Sequence, residues 1–393
     1  MARTPPSPPE PPPLPAEARR LGVYVHYPYC SARCPYCDFT VTTRALDDDR
    51  YRDALIAELR ARARDFTERP PAVSVYFGGG TPGLWDPAAL GAVIDAVADT
   101  VGLAADAEIT VEANPGEVTA AHALGWRAAG VNRISLGVQS FADQHLAFLG
   151  RAHRAADVHA AIAALRRVGL GEISVDLIHG MAGQTVAEAV GDAAAALATG
   201  APHVSTYQLT IEARTRFGLW ARRGQTLRAE DGLLAEMYAA VQATLEAGGV
   251  RFYEISNAAR PGHEAVHNGL YWSFAEYLGL GAGAHGFRRG RGGDARWANG
   301  KHPQRYMEGA LAGRLMQDVE AVDAATLAEE RVLTGLRRWA GLPVDADLRV
   351  RFGGGAAAAV ARGWLTDDGD RWRATPAGRA VLDRVVLEVV AAR

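Results

Sequence analysis

The sequence predicts an α/β protein built on a parallel sheet with helices outside it. Short runs rich in Val, Ile, Leu and Tyr alternate with Ala- and Leu-rich runs of helical spacing from Leu21 to about Ile211. Six such βα units follow in series, which calls for parallel strands joined by crossover helices. Beyond Ile211 the rhythm breaks, so a mixed C-terminal part is expected. A closed barrel takes eight units, and six would leave one three-quarters closed. The strand pattern alone equally allows an open, doubly wound sheet.

The elements fall in order along the chain. Residues 1–20, MARTPPSPPEPPPLPAEARR, favour extended, unpacked backbone and read as a disordered leader. Strands are expected at 22–26, 73–77, 108–112, 133–138, 173–178 and 204–209. Tyr51, Leu55 and Leu59 mark the apolar face of one helix, and Val158, Ile162 and Leu165 that of another. Asp86, before Pro87, and Thr119 are N-cap signals. Gly130 and Gly169 suit helix C-terminal stops. A helix is expected over 230–247, then a Gly- and aromatic-rich stretch over 252–299. The tail, 324–393, reads as helices around a strand–turn–strand ribbon centred on 367–370, a winged-helix-like end. The expected division is a leader at 1–20, a barrel at 21–250 and a C-terminal region at 251–393.

Composition narrows the function. Of 393 residues, 48% are apolar and 22% charged, enough for a sizeable core, and the net charge of −3 gives no electrostatic footprint for nucleic acid. No apolar run approaches the roughly 20 residues that span a bilayer. The N-terminus lacks a charged-then-apolar signal pattern, so a cytoplasmic protein is expected. The chain has three cysteines, Cys30, Cys34 and Cys37, all within one loop. An odd, clustered set makes a poor disulfide framework and points to a metal in a reducing compartment.

The segment HYPYCSARCPYCDF follows the first expected strand. Thiolates suit iron–sulfur clusters and zinc. Three thiolates on a four-iron cubane leave one iron open, as a catalytic centre needs. Zinc would want a fourth ligand, for which His26 is the nearby histidine. In the second unit, Gly78-Gly79-Gly80-Thr81-Pro82 follows the strand, and such glycines let backbone N–H groups approach a ligand. Glu112, Gln139 and Asp176 stand at corresponding strand ends, the face on which barrel sites are built, with Arg151 nearby.

The Cys-x3-Cys-x2-Cys spacing with GGGTP resembles the radical S-adenosylmethionine (SAM) superfamily. Over nearly the whole chain the sequence resembles its coproporphyrinogen dehydrogenase group. That group holds oxygen-independent coproporphyrinogen oxidases and HemW-type heme chaperones. The resemblance implies a three-quarter (βα)6 barrel and a [4Fe–4S] cluster on Cys30, Cys34 and Cys37. It implies SAM bound at Gly79, Gly80, Thr81, Glu112, Gln139, Arg151 and Asp176, with Arg151 pairing with the SAM carboxylate. It also places Tyr24 and Tyr36 at the cluster and adenosine site.

Two readings follow from the resemblance: a carrier that holds heme and delivers it, or a SAM-dependent oxidative decarboxylase of coproporphyrinogen III. The carrier is favoured. The oxidases have a further Cys where this chain has Phe39, and they carry a longer N-terminal extension. His267-Asn268-Gly269-Leu270-Tyr271-Trp272 matches the chaperones' HNxxYW motif. An imidazole can ligate heme iron, and Tyr271 and Trp272 offer flat apolar surface. Partners are then heme and recipient hemoproteins, membrane-associated ones included, with no nucleic acid; a homodimer is compatible. The Gly279–Gly286 run is expected either to let backbone approach the SAM site or barrel mouth or to form a plain loop.

Overall fold

A computed structural model describes residues 20–391 apart from 46, 67–68, 291–292 and 316. The expected leader, Arg20 excepted, lies outside the described residues. Six parallel strands stand side by side in chain order. They are β1 (Leu21–Tyr27), β2 (Ala72–Gly79), β3 (Leu103–Ala113), β4 (Arg133–Gln139), β5 (Glu172–His179) and β6 (His203–Gln208). The sheet's ends do not meet, so the barrel is open on one side.

Alternation along each strand explains both the core and the cavity. Val23, Val25, Val75, Phe77, Val111, Ile134, Leu136, Ile173 and Val175 are fully buried. They pack outward against Leu55, Leu59, Leu90, Val93, Val158 and Leu165 of the surrounding helices in one apolar cluster. Successive strand residues face opposite sides. Tyr24, Tyr76, Glu112, Ser135 and Asp176, between those apolar positions, therefore turn into the barrel. The expected punctuation is present: Asp86 accepts from the Ala88 N–H and Thr119 from the His122 N–H. Gly130 and Gly169 hold φ of +92° and +83°. β3 starts at Leu103 rather than at 108, because Leu103 pairs with Ala72 across a register shift that the apolar pattern does not announce.

The division expected at residue 251 falls inside this same sheet. β7 (Arg251–Phe252) and β8 (Asn257–Ala259) extend it antiparallel beyond β6. β9 (Glu276–Leu280) pairs parallel with β1, and β10 (His285–Arg288), β11 (Asp294–Asn299) and β12 (Gln317–Val322) continue from it. The edge of β1, unpaired in a six-strand barrel, is what β9 covers. Buried Glu58 and Arg62 on the first helix fasten this addition through Asn299, Tyr306 and Gln317.

A second core begins beyond β12, with Val332, Leu336, Leu348, Phe352, Trp372, Val385 and Val389. Helices enclose a small sheet of β13 (Leu342–Pro343), β14 (Leu365–Asp367) and β15 (Arg371–Ala374), a winged-helix-like arrangement. Arg331, Arg337, Arg349, Arg351, Arg362 and Arg373 each lie against a carboxylate of the same unit, so these cations do not form a free basic stripe. Among the described residues no helix is long and apolar enough to cross a membrane.

Candidate functional site

The loop after β1 carries the three thiols. Its ends are tied by Cys30 N–H to Thr42 O (3.0 Å) and Thr42 N–H to Pro28 O (2.7 Å). Cys37 N–H donates to Cys34 O at 3.2 Å, a tight turn that brings the last two cysteines together. All three are free and half-buried. The Thr81 hydroxyl lies 3.5 Å from Cys30 Sγ, and Arg151 Nη1 lies 3.4 Å from Cys34 Sγ. Burial pushes the Cys30 thiol up to about 11. Metal is therefore what would hold it as thiolate, with release of its proton.

The donor set separates the two metals that the sequence allows. Among the described residues no three His, Cys, Asp or Glu side chains converge on a point that could hold one ion. His26 is not a spare fourth ligand either, since its Nε2–H donates to Thr40 O (2.8 Å) and its Nδ1 accepts from Tyr24 (3.1 Å). Tetrahedral zinc needs four convergent ligands. A cubane asks each thiolate for a different iron, so three separated thiols with sulfur-directed donors fit it.

A cavity of about 760 Å³ runs from these cysteines down the barrel. Tyr36, Gly79, Gly80, Thr81, Glu112, Gln139, Arg151 and Asp176 line it, as the sequence predicts. Tyr24 does not. Its ring stacks on Tyr76 at 6.2 Å. The N–H groups of Gly79, Gly80 and Thr81 donate to Glu112 Oε2, Tyr27 O and Tyr29 O. A Cβ on Gly80 would stand 2.5 Å from Tyr29 O, and one on Gly79 2.3 Å from the His26 ring. The turn is Gly-rich where it presses against the root of the thiol loop.

Arg151 donates to Asn114 Oδ1 and Gly137 O, and its Nη1 points at Cys34 Sγ, so its guanidinium bridges the thiol loop and the ends of β3 and β4. Glu112 accepts from the Tyr76 hydroxyl (2.7 Å) and the Gly79 N–H (3.1 Å). Its exposed surface faces the cavity, and burial raises its carboxyl to about 7, with nearby Asp176 adding to the rise. Asp176 takes hydroxyl bonds from Ser135 (2.7 Å) and Ser174 (3.0 Å) and is itself raised by burial. Gln139 has φ of +66°, strain that a non-glycine residue bears where the β4–β5 register shifts and its side chain is aimed inward.

Several lining residues were not singled out from sequence: Thr110, Asn114, Ser135, Ser174, His203 and Ser205. Most share one signal, a polar residue at every second position of an otherwise apolar parallel strand. The HNxxYW residues lie at the other end of the barrel, on the helix Val266–Trp272. Asn268 reaches the cavity wall; His267, Tyr271 and Trp272 do not line it. His267 is 1% exposed, with Nδ1 bonded to Ser74 Oγ and Nε2 to Tyr271 Oη, both at 2.9 Å. As placed, neither ring nitrogen is open to a metal.

An open parallel barrel with three thiols at its mouth and a polar interior defines a radical SAM protein. Residues 24–195 match the model of the radical SAM superfamily, and residues 322–381 match that of the HemN C-terminal domain. That superfamily implies a [4Fe–4S] cluster and SAM. The chain is 39% identical to the heme chaperone HemW of Mycobacterium tuberculosis, covering 95% of each chain. To HemW of Escherichia coli it is 36% identical, over 93% of this chain and 97% of that one. It is also 36% identical to the mitochondrial radical S-adenosyl methionine domain-containing protein 1 of Mus musculus, over 96% and 89%. The chain belongs to the HemW family. In fold it resembles the coproporphyrinogen III oxidase HemN of Escherichia coli, with a TM-score of 0.78 and 22% identity over 96% of this chain and 91% of that one.

Proposed function

We propose that this chain is a heme chaperone that uses a radical SAM barrel to hold heme and deliver it to hemoproteins in the cytoplasm, those docked at membranes included. Its relatives' names as heme chaperones at 36–39% identity support the reading. The observation that carries it is that one cavity runs from the thiol loop at the mouth to Asn268 of the HNxxYW helix, which closes the opposite end.

Cys30, Cys34 and Cys37 hold the cluster in this reading. Thr81 and Arg151 direct donors at its sulfurs, which tunes a cluster's potential. Gly79, Gly80, Thr81, Glu112, Gln139 and Asp176 form the SAM chamber, and Tyr36 closes it beside the thiols. The cluster, when bound, supplies the electron that SAM chemistry requires. Glu112 offers a carboxylate to the cationic end of SAM. His267, Asn268, Tyr271 and Trp272 are the heme residues. The test is an anaerobic heme titration of the cluster-loaded protein beside a coproporphyrinogen III turnover assay with SAM and reductant. Heme binding without protoporphyrinogen formation is expected; turnover would put the decarboxylase first.

A further inference from the structure

The HNxxYW helix is built into the barrel as a stopper. The N–H groups of Val266 and His267 donate to the two carboxylate oxygens of Glu108, each at 2.9 Å. Arg133, at the start of β4, donates to His263 O, and His263 Nδ1 bonds Glu172 at the start of β5. Leu270 is buried so close to β1 that a Cβ on Gly22 would stand 2.5 Å from it. Gly22, Arg133 and Glu172 stand at the N-terminal ends of their strands, and Glu108, midway along the longer β3, is level with Ser74 near the start of β2. The helix therefore closes the bottom of the barrel, and Ala265 and Asn268 form part of the cavity wall.

The same helix supports the SAM side. The His267 ring stacks on Tyr76 with centroids 5.0 Å apart, and the Tyr76 hydroxyl holds Glu112. His267 also bonds Ser74, two residues before Tyr76 on the same face of β2. Burial lowers the imidazole to about 3, so it stays neutral, the form in which it could ligate iron. What withholds it is position: a porphyrin cannot reach a ring that is 1% exposed and bonded at both nitrogens.

We propose that the helix Val266–Trp272 is a removable floor of the SAM chamber, so that heme ligation by His267 and SAM binding oppose each other. The inference rests on the heme-chaperone reading above. Iron can reach His267 only when the helix leaves its seat between Ser74, Tyr76 and Glu108. Its departure opens the chamber from below and strips Tyr76 of the ring that backs it. The hinges are in place. Phe274, immediately beyond the helix, holds φ of +60°, strained for a bulky side chain, and Gly262 before it holds +86°. Arg289 pins Phe274 by donating to its carbonyl (3.0 Å) and lying 4.9 Å over its ring. SAM selects the floor-closed state and heme the floor-open state, and linkage makes the two effects equal.

The test uses the full chain with its cluster reconstituted, under anaerobic conditions. Heme is titrated by absorbance with and without saturating SAM, and SAM affinity is measured with and without heme. SAM should weaken heme binding by roughly tenfold, within the range usual for coupled sites, and heme should weaken SAM by the same factor. Ser74→Ala and Tyr271→Phe each free one ring nitrogen without changing a residue proposed to touch SAM. At least one should tighten heme several-fold and weaken SAM. Hydrogen exchange of wild-type protein should show the Val266 and His267 amides losing protection on heme addition. Heme affinity independent of SAM, with those amides unchanged, would overturn the floor and leave the heme reading standing. Competition that persists undiminished in His267→Ala would overturn it too, by placing heme elsewhere. No heme binding at all would sink both.

Discussion

Glu112→Gln is the sharpest probe of the cavity's electrostatics. The folded protein holds the Glu112 proton up to about pH 7, whereas an ordinary glutamate loses it near 4.5. That difference corresponds to about 3 kcal/mol. Below pH 4.5 both states carry the proton and the group costs nothing. Between 4.5 and 7 the folded state binds more protons than the unfolded one, so stability falls as pH rises. Above 7 the full 3 kcal/mol or so has been lost. Glutamine has no such dependence. Like the protonated carboxyl, its amide has one oxygen to accept from the Gly79 N–H and one donor, which the Tyr76 hydroxyl can accept, so both bonds can be kept. The variant should thus match wild type to within about 1 kcal/mol at pH 4.5 and be more stable by about 3 kcal/mol at pH 8. Urea unfolding of the metal-free, reduced protein at both pH values gives the comparison, and titrating groups that do not interact with Glu112 cancel in the difference. A wild-type-minus-variant difference that is the same at both pH values would refute the claim that Glu112 is held neutral by its surroundings.

Other expectations follow from the same geometry. SAM affinity of the wild type should drop up to tenfold per pH unit below about 7, because a cationic ligand competes with the Glu112 proton; isothermal titration in buffers of different ionisation enthalpy would show the proton released. Replacing Cys30, Cys34 or Cys37 by Ala should abolish loading of about four irons per chain, read by iron assay and the cluster's visible absorbance. Asp176→Ala should weaken SAM by a factor worth roughly 2–5 kcal/mol while iron content holds, because it removes a buried, hydrogen-bonded carboxylate. Gly355→Ala puts a Cβ 2.4 Å from Val389 O and should destabilise the C-terminal unit by about 1–3 kcal/mol, seen as earlier proteolysis there with the barrel intact.

The barrel was legible because parallel strands buried on both faces write their pattern locally. Val23, Val25, Val75 and Phe77 are apolar for the helices outside, and the caps at Asp86 and Thr119 are decided within three residues. The thiol loop was legible from spacing alone. The packing partners of Gly79, Gly80 and Arg151 were not, because each depends on what the fold brings alongside. For the glycines that is the root of the thiol loop, and for Arg151 it is Cys34 and Asn114. The extent of the sheet was hidden for a similar reason. Nothing in the Glu276–Leu280 run says that its partner is β1, more than 200 residues earlier; the open edge that makes the pairing favourable exists only once the barrel has formed.

Placement of the HNxxYW helix carries the same lesson into function. Its composition, an imidazole beside two aromatic rings, suits a heme face. The fold instead spends Tyr271 and Ser74 on the imidazole and Glu108 on the helix N-terminus. A neutral, fully bonded histidine at the base of a cofactor chamber is a poor permanent heme site. A carrier must release what it holds, and a ligand that returns to two waiting hydrogen bonds when heme departs offsets part of the lost iron bond. The contacts that hide His267 are therefore the ones that would let it let go.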